Sequence, residues 1–141
     1  MMLPPGQRFG GDRGYHFFSI SRDSRTIACA IVDNSGRMMH LRRLDRRQDI
    51  PLVGTQSIRN MFFSPDGEWI GFFNSQALCK VSVHGGSPVV LAESGQDRGG
   101  TWLQDGTIVF SATTTVSLTR IPATGGTPVK VTELDSTRSE R

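Results

Sequence analysis

Cysteine is scarce in this sequence, since only Cys29 and Cys79 occur in 141 residues. Two thiols cannot form the several crosslinks that hold small disulfide-rich secreted domains together. Both cysteines fall inside apolar segments that we predict to be strands, where a free thiol behaves as a small hydrophobic side chain. We therefore expect two buried free thiols, and they do not indicate a compartment.

Long apolar runs are also missing. No segment approaches the roughly 18 to 20 consecutive apolar residues that cross a membrane as a helix. The first residues, MMLPPGQRFGGDRG, lack the charged start and the apolar core of a secretory signal. We therefore expect neither a membrane segment nor a localisation signal in this sequence.

Recognisable catalytic motifs are a third absence. The sequence contains neither the Gly-rich loop, the catalytic loop nor the DFG motif of a protein kinase, and no G-x-S-x-G elbow of a hydrolase. The histidines His16, His40 and His84 are scattered at spacings that do not suit a metal site. Asp97 and Asp105 could form an acid–base pair, but Asp105 belongs to a predicted turn. We predict no catalytic residues, no bound metal and no cofactor.

Charge is nearly balanced, because 16 basic residues face 13 acidic ones and give a net charge of +3. The most basic stretch places Arg42, Arg43, Arg46 and Arg47 around Asp45. Strand alternation puts Arg42 and Arg43 on opposite faces, and no aromatic residues interleave the arginines as nucleic-acid binding favours. This stretch predicts a solvated rim, with an anionic partner as the alternative, and no clear nucleic-acid site.

The residues that are present form a pattern of strands and turns. Between Ile58 and Leu91, short apolar runs rich in β-branched and aromatic residues alternate with clusters of Gly, Pro, Asp and Ser. This pattern predicts a meander of four antiparallel strands. Proline fixes φ, aspartate bonds its local backbone and glycine accepts a positive φ, so these residue types mark the turns. The predicted turn residues are Pro65, Asp66, Gly67, Gly85 and Gly86.

The same unit occurs three times. Asp23, Asp66 and Asp105 mark matching turns separated by about 40 residues, the period of a propeller blade with four strands. The turn glycines of the third unit are Gly106, Gly125 and Gly126. The pattern assigns Ile20, Phe63 and Trp102 to one equivalent position, and Leu44, Val81 and Ile121 to another.

These repeats predict an all-β fold, a partial β-propeller of about three four-stranded antiparallel blades. The predicted blades cover about 15–54, 58–93 and 99–134. An extended lead-in precedes them at 1–14, and a disordered tail without apolar residues follows at 135–141.

Several stretches resemble a known family. FFSPDGEWIGFF, KVSVHGGSPVVL and RIPATGGTPVKVTELD are similar to repeats of the six-bladed TolB-like propeller, of the WD40-like or PD40 type. LRRLDRRQDIPLVGT and GGTWLQDGTIVF are similar, more narrowly, to the propeller attached to bacterial serine/threonine protein kinases. The resemblance spans about residues 3 to 135, and it implies a fold more strongly than a biochemical role.

Three blades are half of the six-bladed ring that the resemblance implies. A blade is apolar on both faces because each blade packs on a neighbour, so three blades leave two faces bare. We expect a protein partner or a second copy of the chain to cover these faces. The predicted function is a non-catalytic module for protein–protein or ligand recognition, as a fragment of a larger protein. The alternative is the sensing or scaffolding part of a serine/threonine protein kinase whose catalytic domain lies outside this sequence; by resemblance, that part is extracytoplasmic.

Overall fold

The structure is a computed structural model that describes residues 2–11, 17–94, 98–111 and 117–132. The described residues form strands, turns and loops without any helix, which confirms the predicted all-β class. Four sequence predictions involve residues outside this description. They concern the start of the first predicted blade at Tyr15, the histidine His16, the acid Asp97, and the tail at 135–141.

Thirteen strands among the described residues form three antiparallel sheets that follow one another along the chain, here called blades 1, 2 and 3. Blade 1 contains β1 (Arg8–Phe9), β2 (Phe18–Ile20), β3 (Thr26–Asp33), β4 (Gly36–Arg43) and β5 (Gln48–Leu52). Blade 2 contains β6 (Arg59–Phe63), β7 (Trp69–Phe73), β8 (Ala77–Ser82) and β9 (Val89–Glu93). Blade 3 contains β10 (Gly100–Trp102), β11 (Thr107–Ser111), β12 (Leu118–Pro122) and β13 (Val129–Lys130).

One edge of blade 1 consists of two short strands that pair with different parts of β3. Both β1 and β2 pair antiparallel with β3. Between them, the Gly10 N–H donates to the Ala30 carbonyl, and the Ala30 N–H donates to the Phe17 carbonyl, each at 2.8 Å. The segment predicted as an extended lead-in therefore contains a strand that belongs to blade 1.

Blades 1 and 2 pack face to face around one apolar core. Blade 1 contributes Ala28, Met39 and Leu41, and blade 2 contributes Ile70 and Phe72. None of these side chains is more than 1% exposed. Full burial of a side chain the size of Met39, Leu41 or Ile70 stabilises a fold by about 1.5 to 3 kcal/mol, so this contact is a main source of stability.

Blades 2 and 3 enclose a second apolar core. Phe73 of blade 2 meets Ile108, Phe110 and Ile121 of blade 3, and the Phe73 and Phe110 ring centroids are 6.0 Å apart. Successive side chains of a strand point to opposite faces, so Phe72 points to blade 1 while Phe73 points to blade 3. Blade 2 is the one blade covered on both faces by described residues.

The strand registers define equivalent positions in the three blades. They confirm the first predicted set, because Ile20, Phe63 and Trp102 each lie opposite an isoleucine, namely Ile27, Ile70 and Ile108. The residues opposite these isoleucines on the third strand are Arg42, Val81 and Ile121. The prediction of Leu44 for the second set was therefore wrong. An arginine is tolerated at this position in blade 1 because no blade covers that face within the described residues.

Candidate binding surfaces

Each blade has two different faces, which we name by their residues. The leading face carries Ile20 in blade 1, Phe63 in blade 2 and Trp102 in blade 3, and the trailing face is the opposite one. The leading face of blade 2 packs on the trailing face of blade 1, and the leading face of blade 3 packs on the trailing face of blade 2. Within the described residues, the leading face of blade 1 and the trailing face of blade 3 remain uncovered by another blade.

The free leading face of blade 1 combines exposed apolar groups with a buried thiol. Phe18 and Ile20 lie two residues apart on β2 and are 52% and 51% exposed. Phe18, Cys29 and His40 lie opposite one another across the sheet, and His40 Nδ1 is 3.3 Å from Asp49 Oδ1. Burial, with a contribution from the Asp49 carboxylate, raises the pKa of the Cys29 thiol to about 11. The thiol is therefore protonated at neutral pH and a poor nucleophile.

The free trailing face of blade 3 presents apolar side chains around a basic one. Leu118 and Val129 are 40% and 50% exposed, and the exposed Arg120 lies opposite Val129. The register also places Arg120 opposite Val109 on the neighbouring strand. This face therefore offers an apolar contact area and a charged hydrogen-bond donor.

Blade 2 shows what a basic residue does at this position when a further blade is present. Lys80 is the equivalent of Arg120, and its Nζ donates a hydrogen bond of 2.7 Å to the Ala123 carbonyl of blade 3. The same Nζ lies 4.7 Å from the centroid of the Trp69 ring, in the range of a cation–π contact. A basic side chain on the trailing face thus bonds to the backbone of the next blade.

The turn around Asp66 is held by a network of short hydrogen bonds. Ser64 Oγ donates to Asp66 Oδ1 at 2.5 Å, and the Glu68 N–H donates to the same oxygen at 3.0 Å. Ser64 Oγ in turn accepts from the Trp69 N–H at 3.0 Å. The bond from Ser64, and then that from the Glu68 backbone, lowers the pKa of Asp66. The carboxylate therefore shapes the strand connection.

The matching turns of the other two blades also contain an aspartate, which accepts hydrogen bonds from different donors. Asp23 accepts from Ser21 Oγ at 2.6 Å and from the Arg25 N–H at 3.0 Å, and these bonds lower its pKa. Asp105 accepts from the Thr107 N–H at 2.9 Å, and the backbone and side-chain bonds of Thr107 lower its pKa. All three predicted turn acids are therefore engaged with their own backbone.

The glycine that follows the turn aspartate needs a left-handed backbone. Gly67 has a φ of 75° and Gly106 a φ of 83°, and Pro65 precedes Asp66 in the same turn. Ser24 occupies the equivalent place in blade 1 with a φ of 59°, which costs a residue with a Cβ about 1 to 2 kcal/mol. The turns between the last two strands of blades 2 and 3 contain paired glycines. The N–H groups of Gly85 and Gly125 donate to the carbonyls of Ser82 and Pro122, and Gly86 and Gly126 follow directly.

A polar cleft of about 270 Å³ lies between blades 1 and 2 at this end of the molecule. Asp23, Asp66, Arg43 and the contacting pair His84 and Glu68 line it, with His84 Nε2 2.6 Å from Glu68 Oε2. Both aspartates already accept turn hydrogen bonds, and the histidine is bound to the glutamate. The arrangement can bind a polar group through these charged side chains.

A metal ion or a membrane would each need its own arrangement within the described residues. Among them, no three His, Cys, Asp or Glu side chains come together in a group that could hold a metal ion. His40 lies in blade 1 and His84 at the cleft of blade 2, whereas His16 and Asp97 lie outside the description. No helix long and apolar enough to cross a membrane occurs in the described part of the chain.

No protein-family model and no curated protein matches this sequence. Solved structures do match, and among them are TolB proteins. A TolB-type protein of Agrobacterium tumefaciens aligns with a TM-score of 0.66 and 19% identity over 82% of this chain. TolB from Acinetobacter baumannii aligns with a TM-score of 0.66 and 17% identity over 86% of this chain. The fold is a partial, TolB-like β-propeller.

The propeller likeness extends beyond TolB. The β-propeller domain of the Trilobed protease from Pyrococcus furiosus aligns with a TM-score of 0.64 and 11% identity, covering 82% of this chain and 42% of that one. This chain spans 48% of the Agrobacterium protein and 33% of the Acinetobacter TolB, so it corresponds to a half or less of each. At these identities the likeness shows the fold, and function must come from the surfaces of this propeller.

Sequence reasoning predicted bare blade faces without naming their residues. Phe18 and Ile20 stand at alternate positions of one strand, so the period-2 pattern could have found them. The bond from Lys80 to Ala123 joins residues 43 positions apart, and no local pattern signals it.

Proposed function

We propose that this propeller is a non-catalytic recognition module that associates with protein through the free faces of its end blades, and that the partner is a second copy of the chain. One observation carries the proposal: the two free faces are of opposite types. A leading face packs on a trailing face at both internal contacts. The free leading face of blade 1 in one copy thus matches the free trailing face of blade 3 in another.

The side chains on the two faces suit such a contact. Phe18 and Ile20 on one face, and Leu118 and Val129 on the other, are each at least 40% exposed, so pairing the faces removes apolar surface from water. Arg120 holds the place of Lys80, which bonds to the next blade.

The backbone group that Arg120 would meet can be named. Lys80 donates to the carbonyl of Ala123. The equivalent of Ala123 in blade 1 is Leu44, because the two residues bond to the aspartate turns of their blades in the same way. The Ala123 N–H donates to the Gly106 carbonyl, and the Leu44 N–H donates to the Arg25 carbonyl. In the proposed assembly, Arg120 of one copy donates to the Leu44 carbonyl of the other.

Two such contacts, related by a twofold axis, join two copies into a closed ring of six blades. Closure matters because a leading-to-trailing contact is heterologous, and it otherwise continues into an open filament. Once one contact has formed, the second is intramolecular and gains from a high effective concentration. We therefore expect a discrete dimer without larger species.

Light scattering coupled to size exclusion tests the proposal. The purified chain is expected to have twice the mass of one chain at micromolar concentration, and Ile20→Glu and Leu118→Glu are each expected to shift it to the monomer because each buries a charge in the contact. Val90→Glu is the control, since Val90 is 63% exposed and lies on β9 of blade 2. A monomeric wild-type chain, or a dimer that survives either end-face substitution, would overturn the proposal.

Mixing the two variants tests the pairing of opposite faces. The Ile20→Glu chain keeps an intact trailing face, and the Leu118→Glu chain keeps an intact leading face. In the mixture, the intact trailing face of one variant can pair with the intact leading face of the other. A heterodimer should therefore form, whereas each variant alone stays monomeric. If the faces instead paired with their own kind, each variant alone would retain one intact symmetric contact and mixing would add nothing.

The non-catalytic part of the proposal is supported by the turn bonds of Asp23 and Asp66 and by the pairing of His84 with Glu68. Phosphotransferase or hydrolase activity measured in the purified chain would overturn it.

A finer form of the proposal is that the module is the extracytoplasmic sensing or scaffolding part of a serine/threonine protein kinase. The similarity of its repeats to kinase-attached propellers supports this form. The DNA next to the coding sequence tests it: a kinase reading frame directly upstream supports the link, and its absence there contradicts the link.

A further inference from the structure

Three arginines that are distant in sequence line one pocket at the end of the molecule opposite the turn aspartates. An open pocket of about 330 Å³ is lined by Arg8, Val32, Arg37, Ser57, Arg59 and Ser75. The lining residues are three arginines, two serines and one valine. Guanidinium groups match the oxygen atoms of phosphates and carboxylates and bind them through paired hydrogen bonds.

The sheet of blade 1 fixes two of the arginines. Arg8 on β1 lies directly opposite Val32 on β3, and Val32 lies directly opposite Arg37 on β4. Cross-strand partners share a face of the sheet, so Arg8 and Arg37 flank Val32 on one face. Arg37 Nη1 also donates to the Ile58 carbonyl at 3.3 Å, which ties the side chain to the segment that leads into blade 2.

A bulge at the start of blade 2 positions the third arginine. The register of β6 shifts between Arg59 and Met61, and Asn60 between them is 3% exposed with a φ of 32°. Bulges bend a strand and redirect the side chains beside them, and they recur next to functional sites. Here the bulge adjoins Arg59, which lines the pocket together with the arginines of blade 1.

A glycine leaves the space in which Arg37 lies. A Cβ added at Gly10 would be 2.9 Å from Val32 Cγ2 and 3.3 Å from Arg37 Nε. A side chain at this position would press on Val32 and Arg37, which both line the pocket. The strand β1 thus contributes the positive charge of Arg8, and Gly10, the residue after it, leaves space for the Arg37 side chain.

We propose that this pocket binds a phosphate group, either as the free ion or as the phosphoryl group of a small ligand. Three positive charges favour a dianionic phosphate over a single carboxylate. The volume of the pocket is at the lower end of the range for small-molecule sites, so a phosphate with a small attached group fits it. All lining residues belong to one chain, so binding does not depend on the proposed dimer.

Titration of the full chain with inorganic phosphate, followed by two-dimensional NMR at constant ionic strength, tests the proposal. Saturable shifts are expected for the backbone amides of Arg8, Arg37 and Arg59. Arg8→Gln should weaken the apparent affinity by about tenfold or more, the loss of a hydrogen bond to a charged group. Arg8→Lys keeps the positive charge but loses the planar guanidinium group and its paired donors. Its apparent affinity for phosphate should therefore lie between those of Arg8→Gln and the wild type.

Arg46→Gln is the matched control. It removes the same charge from a side chain that is 67% exposed, in the turn after β4 and roughly 20 Å from the pocket by the rise of that strand. Equal loss of affinity in Arg8→Gln and Arg46→Gln would show attraction by net charge and overturn the site, as would shifts that do not saturate. Gly10→Ala should also weaken phosphate binding while the spectrum remains that of a folded chain.

Titrations with two further ligands distinguish a free phosphate ion, a phosphoryl ligand and a carboxylate. Glycerol 3-phosphate binding more tightly than phosphate would identify a phosphoryl ligand, and equal binding would identify the free ion. Succinate binding as tightly as phosphate would contradict the phosphate preference. The same titration on the Ile20→Glu chain separates the two proposals, because phosphate binding is expected to persist in the monomer.

Discussion

Replacing Gly71 by alanine should destabilise the propeller through a single close contact. Gly71 lies opposite Phe62 on the central blade, and an added Cβ would be 2.4 and 2.5 Å from two carbons of the Phe62 ring. The equivalent positions of blades 1 and 3 hold Ala28 and Val109, so the position itself accepts larger residues. The expected clash comes from the ring and not from the backbone of the strand.

The size of the effect follows from how far the ring can move. Carbon atoms in contact prefer about 3.5 to 4.0 Å, so the ring must retreat by roughly 1 Å. Retreat is restricted because the far edge of the Phe62 ring lies close to Gly100, where a Cβ would be 3.0 Å away, and because Phe73 packs beside it at 6.4 Å between centroids. Overpacking of this kind costs typically 1 to 3 kcal/mol, and we expect about 2 to 3 kcal/mol here.

Urea unfolding followed by tryptophan fluorescence measures the effect, with all variants at one protein concentration so that the contribution of association is the same for each. Gly71→Ala should lower the midpoint of unfolding without changing the slope. In a Phe62→Leu background, the same substitution should cost less than about 0.5 kcal/mol, because the ring is gone. A cost below about 0.5 kcal/mol in the wild-type background, or an equal cost in both backgrounds, would refute the reasoning.

Two further predictions concern the aspartate turns. Ser24→Gly should raise the free energy of unfolding by about 0.5 to 1 kcal/mol, because Ser24 has the positive φ of its equivalent Gly67, and Gly67→Ser should lower it in the same urea assay; opposite signs would contradict the shared geometry. The pKa of Asp66 is lowered from 3.8 by its bonds to Ser64 and the Glu68 backbone. The ionised carboxylate therefore stabilises the fold at a pH above 3.8, and this stabilisation is lost as the pH falls through the pKa of the folded state. Asp66→Asn should therefore be less stable than the wild type at pH 7 and equal to it at the acidic end of a pH series, whereas a deficit that stays constant with pH would contradict the assignment.

The strands and turns of blades 2 and 3 were predictable because their signals are local. Turn residues such as Asp66 and Gly67 act within four residues of chain, and apolar runs such as Trp69–Phe73 carry their own β-propensity. β1 was missed because a two-residue strand, Arg8–Phe9, has no pattern of its own and exists only through pairing with β3.

The register of the first unit shows a different limit. The prediction placed Leu44, Val81 and Ile121, three apolar residues, at one equivalent position. The structure has Arg42 there, on the free leading face of blade 1. A pattern based on burial fails where a face is not covered.

The sequence by itself determined the all-β class, the period of the repeat and the number of blades, since these depend on residues close together in the chain. Only the tertiary structure decided which faces are free, where Lys80 meets Ala123, and that Arg8, Arg37 and Arg59 line one pocket. The physical reason is distance along the chain. Pairing of β1 with β3 and packing of blade 1 on blade 2 bring together residues that no local pattern connects.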